Sequence, residues 1–196
     1  MILRKRQYEM KTVAVQVPER GMGATHICVC FAHALAALGK KVALIEWNSH
    51  QDFVEIEKSF QGFGFEKKEE QVFRIRRVDY YKSYQEKGLA SIKKENYDYI
   101  IADMGNTRNS YFAEADYPVL ILTGNEWKAN RWIPVLKKYE SELGERLKLI
   151  INFGNKEERN FFRKYCSLQI HNFPFWKDAF GSDREQRELL LQILGE

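Results

Sequence analysis

The chain has 196 residues, with 31 Lys and Arg against 27 Asp and Glu, so its formal net charge is only +4. A hydrophobic content of 44%, including 14% aromatics, is ample for a packed core, and 12 Gly with 4 Pro exclude a linker-rich or disordered chain. The longest apolar run, Ile27 to Leu38, carries His33 and falls short of the roughly 18 to 20 residues that a membrane-spanning helix requires, so no transmembrane segment is expected.

The chain starts on the basic residues Arg4-Lys5-Arg6 and continues polar, without the apolar region of a secretory signal, so a cytoplasmic location is expected. Thr12 to Val17 reads as a first strand, closed by Pro18. Thr25 to Leu38 is apolar almost all round and stops at Gly39, which predicts a deeply buried helix. Lys41 to Glu46 is a second strand and Val72 to Ile75 a weak edge strand, followed by a helix-like stretch around Gln85 to Glu95. Tyr97 to Asp103 and Tyr117 to Thr123 read as buried strands, then Ala129 to Leu143 as a helix with Pro134 near its first turn. Leu147 to Asn152 (strand), Lys156 to Tyr165 (helix), Leu168 to Phe173 (strand) and Asp183 to Leu194 (helix) complete the chain. This alternation predicts one α/β domain over residues 1–196, a three-layer α/β/α sandwich around a mostly parallel sheet of about seven strands. In such sheets ligands sit beyond the carboxyl ends of the strands, which points to the loops after Val17, Glu46, Asp103, Thr123 and Asn152. Cys28 and Cys30 fall in the buried helix and read as small core residues. His26, His33, His50 and His171 have none of the short spacings that metal sites use, so no structural metal is expected.

The first strand and the buried helix are joined by Pro18-Glu19-Arg20-Gly21-Met22-Gly23-Ala24-Thr25. Strand, glycine loop and helix N-terminus in that order form the context in which backbone N–H groups hold phosphate. The spacing resembles the P-loop G-x-x-x-x-G-K-[ST], but Pro18 stands at the first Gly and Ala24 at the Lys, which by pattern alone is a weak signal. Gly21 and Gly23 alternatively serve only the tight turn, Asp103 a strand-end turn and Asn152 a turn. His26 and His50 lie in the two loops that would face a nucleotide.

The stretch from Val13 to Gln51 resembles the start of the MinD/ParA family of P-loop NTPases. The family's K-G-G-V-G-K-T-T aligns with Glu19-Arg20-Gly21-Met22-Gly23-Ala24-Thr25-His26, and its helix exit with Ala34 to Val42. Its D-x-D segment aligns with Glu46-Trp47-Asn48, its Walker B strand with Tyr97 to Asp103, and its terminal I-P-[YF] element with Phe173-Pro174-Phe175. The resemblance implies a nucleotide site of Arg20, Gly21, Gly23, Thr25 and Asn152, with Thr25 and Asp103 holding Mg²⁺ through water. It also implies what is missing. Two lysines that approach the phosphates in the family are Ala24 and Glu19 here, and the Asp that orients the attacking water is Asn48. Phosphoryl transfer depends on positioned charge, so no catalytic residue and no useful ATPase activity are expected. No cofactor is expected either, with ATP and Mg²⁺ bound only at low affinity. A Glu19 carboxylate about 4 Å from a phosphate would repel it by roughly 4 kcal/mol at an effective dielectric of about 20.

This pattern resembles the atypical TadZ/CpaE group of pilus-assembly and secretion systems. It implies a catalytically degenerate positioning or scaffold component, a homodimer that recruits protein partners of a larger assembly. Two alternatives are a working nucleotide switch built on Arg20, Thr25 and Asp103, and a ParA-like DNA-binding partition protein. The latter would use Arg74, Arg76 and Arg77 beside Tyr80, Tyr81 and Tyr84, where arginine near aromatics suits nucleic acid. The small net charge favours a solvated mixed-charge face instead. The last helix lacks the basic face of an interfacial anchor and is expected to pack on the domain.

Overall fold

A computed structural model of the chain describes residues 10–60, 62–83, 91–124 and 126–196. Nine strands form one sheet: β1 (Lys11–Gln16), β2 (Val42–Glu46), β3 (Phe65–Lys67), β4 (Val72–Ile75), β5 (Val78–Tyr81), β6 (Tyr99–Asp103), β7 (Tyr117–Thr123), β8 (Lys148–Asn152) and β9 (Ile170–Phe173). Their order is β3-β4-β5-β2-β6-β1-β7-β8-β9. From β5 to β9 every pairing is parallel, and β4 and β3 extend the β5 edge antiparallel. The helices are α1 (Ala24–Ala37), α2 (Asp52–Ser59), α3 (Tyr111–Glu114), α4 (Glu126–Leu143), α5 (Lys156–Phe162) and α6 (Arg184–Leu194). The α/β architecture expected from the sequence is therefore present.

Two differences concern the sheet. It has nine strands where about seven were expected, because β3 and β5 are too short and too rich in charge and Tyr to stand out as apolar runs. For the same reason β4 is not an edge strand but sits between β3 and β5. The helices α2 and α3 were also unforeseen. α4 begins upstream of the expected Ala129, which places Pro134 in its interior, not in its first turn. Of the helix expected around Gln85 to Glu95, residues 85–90 lie outside the described set, and 91–93 are helical.

The central strands β1, β6 and β2 are buried along nearly their whole length, which fits their continuous Val, Ile, Leu and Ala. Apart from His26 and His33, α1 has only small or apolar residues around its circumference, including Cys28 and Cys30, and is almost wholly buried. Its C-terminus closes in a Schellman arrangement, with Lys40 N–H donating to the Leu35 carbonyl and Gly39 N–H to the Ala36 carbonyl. α6 starts in a capping box of Asp183 and Gln186 and packs Leu190, Ile193 and Leu194 inward, with α1 among its neighbours. The last helix thus packs on the domain, against α1, as expected. Among the described residues no helix is long and apolar enough to cross a membrane.

Candidate functional site

The parallel register aligns the carboxyl ends of the central strands. Asp103 pairs across to Val15 on β1 and to Glu46 on β2, so the phosphate-type loop, Glu46 and Asp103 share one rim. A cavity of about 290 Å³ opens there, lined by Val17, Arg20, Gly21, Met22, Gly23, Ala24, Thr25, His26, His50, Asp52 and Gly105.

Gly21 and Gly23 take φ of 82° and 88°, and Gly23 sits where a Cβ would collide with Asn152 Nδ2. Gly23 is therefore required twice, by its left-handed backbone and by the close approach of Asn152. The Asn152 amide donates to the Met22 carbonyl at 2.9 Å and is almost fully buried. Its amide group braces the loop from behind, and its Oδ1 has no partner among the described residues.

Thr25 and Asp103 come together as expected. The Thr25 hydroxyl lies 2.7 Å from Asp103 Oδ2 and 3.0 Å from Asp52 Oδ2. A hydroxyl carries one proton, so both contacts coexist only when a carboxyl brings a second. Burial pushes the Asp103 carboxyl up to about 6, Thr25 and the Gly105 N–H act against that, and Glu46 and Asp52 add to it. Among the described residues no three or more His, Cys, Asp or Glu side chains group with metal-binding geometry.

Asp52 was missed. Its signal was local: an acid opening a helix two residues past the loop that holds His50. Its approach to Thr25 comes only from the fold. Asn48 is used within its loop, donating to the Asp103 carbonyl at 2.9 Å and accepting from the His50 N–H. Glu46 accepts from the backbone of Phe53 and Ser83 and anchors the start of α2; burial raises its carboxyl above the usual range.

The expectation that Glu19 stands against the phosphates needs correction. Its carboxylate turns to α4, where Lys128 Nζ lies at 3.1 Å and Arg131 at 3.7 Å, and it does not line the cavity. Lys128 holds its carboxyl below the usual range. The cause is distant in sequence: the two cations belong to a helix that only tertiary folding brings across from the loop. Arg20 does line the cavity, and among the described residues no lysine does. The backbone geometry of a phosphate-type loop is present, and among the described residues that line the cavity Arg20 is the one Lys or Arg.

His26 stacks on Phe175 at 6.1 Å, and Phe175 meets Phe153 at 5.8 Å. Burial lowers the His26 pKa, and the hydrogen bond that the imidazole donates to the Trp176 backbone acts against that. Trp127, Phe153 and Phe175 are all exposed and follow or flank the ends of β7, β8 and β9.

The Arg74, Arg76 and Arg77 group divides. Arg74 makes a two-pronged pair with Asp79 at 2.7 and 2.9 Å, which leaves it unsuited to a free basic patch. Arg76 and Arg77 form the hairpin turn between β4 and β5.

No family model matches the chain, and no curated protein matches it by sequence. Solved structures do. A plasmid partition protein from Borrelia burgdorferi bound to AMPPNP is similar at 17% identity and a TM-score of 0.65, covering 94% of this chain and 98% of that one. This is a chain with the MinD/ParA fold. The MinC:MinD cell division complex of Aquifex aeolicus is similar at 16% identity and a TM-score of 0.67, covering 94% of each chain. The septum site-determining protein MinD of Pyrococcus horikoshii with Mg-ADP is similar at 14% identity and 0.61, covering 94% of this chain and 86% of that one. The fold resembles that of positioning proteins, and the neighbours include nucleotide-bound and partner-bound members.

Proposed function

We propose that this MinD/ParA-fold chain is a catalytically degenerate positioning or scaffold component, which recruits protein partners and has little or no ATP hydrolysis. One observation carries the reading: among the described residues the phosphate-type cavity is lined by Arg20 but by no lysine, with Ala24 in its lining. Phosphoryl transfer draws its catalysis from placed charge, and the Asn48 amide is occupied by the Asp103 carbonyl and the His50 N–H. Arg20, Gly21, Gly23 and Thr25 remain as a residual anion cradle, Asn152 as its brace, and Thr25 with Asp103 as the place for a hydrated Mg²⁺. The exposed Trp127, Phe153 and Phe175 around this rim are where a partner, or a second copy in a homodimer, would bury apolar surface. A larger assembly of the pilus or secretion kind is the setting that the resemblance suggests.

Calorimetric titration of the purified chain with ATP and Mg²⁺, paired with a phosphate-release assay, tests this. Binding weaker than about 100 μM, or about −5.5 kcal/mol, with no turnover is expected. Micromolar binding with measurable turnover overturns it and supports the second reading, a nucleotide switch working through Arg20, Thr25 and Asp103. That reading has in its favour the intact Thr25–Asp103 contact. A DNA-partition role is less well supported, since Arg74 is neutralised by Asp79.

A further inference from the structure

A second cavity, of about 270 Å³, lies at the far end of α1 and is lined by His33, Ala36, Ala37, Arg76, Arg77, Phe180 and Ser182. Three independent features mark it. The first is its charge. Two guanidinium side chains border it and, among the described residues, no carboxylate does. Arg76 uses one N–H on the Phe180 carbonyl, and Arg77 makes no hydrogen bond or ion pair among the described residues. Each guanidinium has five donors, so most of the donor capacity at this cavity is unspent.

The second feature is the backbone. Ile75 pairs with Val78, which makes Arg76-Arg77 a two-residue hairpin loop. Such loops favour Asn-Gly or Gly-X because they demand positive φ. Here Arg76 takes φ 54° with a full side chain. A strained residue retained where glycine would be relaxed is the pattern of a site whose side chain has a task.

The third is the lining. Ser182 Oγ is buried with no partner among the described residues, a hydroxyl left free to donate. Ala36, Ala37 and Phe180 supply a small apolar wall, and Phe180 meets His33 edge-on at 5.4 Å. His33 itself is occupied by the Tyr80 hydroxyl at 2.8 Å and is neutral: burial, then Arg76, lowers its pKa to about 4. Asp178 is the nearby acid that acts on His33, and its Oδ1 accepts from the Phe180 N–H.

We propose that this cavity is a binding site for a small organic anion, with its oxyanion head held by Arg76, Arg77 and Ser182 and a compact apolar body against Ala36, Ala37 and Phe180. The volume lies just below the roughly 300 to 1,000 Å³ of drug-sized pockets, which limits the body to about one ring. Phosphate monoesters and carboxylates share this chemistry, and phenyl phosphate and benzoate are the two probes that separate them.

The experiment is calorimetric titration of the full chain with each probe, together with ring-resolved NMR titration of the histidines. At least one probe should bind the parent. Affinity should fall tenfold or more in both Arg76→Gly and Arg77→Gln, the first of which relaxes the turn, with thermal midpoints near the parent's. Saturation should raise the His33 pKa, because the anion offsets the Arg76 charge beside it. Three results overturn the proposal: neither probe binds, both Arg variants bind as the parent does, or binding is lost in Arg20→Gln but kept in Arg76→Gly. The last would place the anion at the phosphate-type loop.

Discussion

The two ends of α1, roughly 20 Å apart by helix rise, invert each other. At its N-terminus the loop has the glycine geometry of a phosphate site, with Gly21 and Gly23 both at positive φ, and among the described residues no lysine lines it. At its C-terminus the hairpin that calls for glycine carries Arg76 at positive φ and Arg77 beside it. One end has the glycine backbone with a single arginine; the other carries two arginines against the backbone's preference. Backbone shape and side-chain charge are thus separable requirements for holding an anion, and a motif that reads one of them does not report the other.

The contrast can be broken most severely at Gly23. Gly23→Val adds a side chain at φ 88° against Asn152, and should lower unfolding free energy by about 3 kcal/mol, read from urea midpoints. A loss below about 1 kcal/mol would show that the loop yields and that its shape is not held by Asn152.

The acid beneath the same loop gives a pH-dependent effect. Asp103 is pushed up to about 6 by burial, above the roughly 3.9 of an unfolded Asp. Its folded form therefore holds the proton more tightly, and the associated stability is complete below about pH 4 and lost as pH rises through about 6. Asp103→Asn, neutral throughout, should exceed the parent by about 2 kcal/mol at pH 7 and lose that advantage near pH 4. Denaturation at the two pH values decides it, and an equal difference at both would mean the hydrogen bonds from Thr25 and Gly105 dominate.

Returning a cation to the loop sharpens the comparison. Ala24→Lys should tighten ATP binding at least tenfold, about 1.4 kcal/mol, by calorimetry. Unchanged affinity would shift the blame from charge to the shape of the cavity. The smallest change is expected at the hairpin: Arg76→Gly relieves the turn and removes the bond to the Phe180 carbonyl, so its thermal stability should stay within about 1 kcal/mol of the parent.

Much of the fold was legible because buried parallel strands and a buried helix write themselves as continuous apolar runs, as in Thr12 to Val17 and Thr25 to Leu38. β3 and β5 were illegible since Phe65-Glu66-Lys67 and Val78-Asp79-Tyr80-Tyr81 owe their strand state to pairing with β4, not to their own pattern. At the candidate site, Arg20, Gly21, Gly23, Thr25, Asp103 and Asn152 were all named through the MinD/ParA resemblance. Asp52 was not, because nothing local ties it to Thr25.

By itself the sequence determined the long buried strands and the buried helix, the glycine loop ahead of α1, and the absence of lysine at position 24. These are local properties, set by periodicity, by backbone permissiveness and by which atoms a residue carries. Tertiary structure alone decided where the charges go. It turned Glu19 to Lys128 and Arg131, set Thr25 between two carboxylates, and spent Arg74 on Asp79 while leaving Arg77 free of such a partner among the described residues. Electrostatic interactions fall off over a few ångströms in space and carry no memory of separation along the chain, so their outcome is fixed only when distant segments meet.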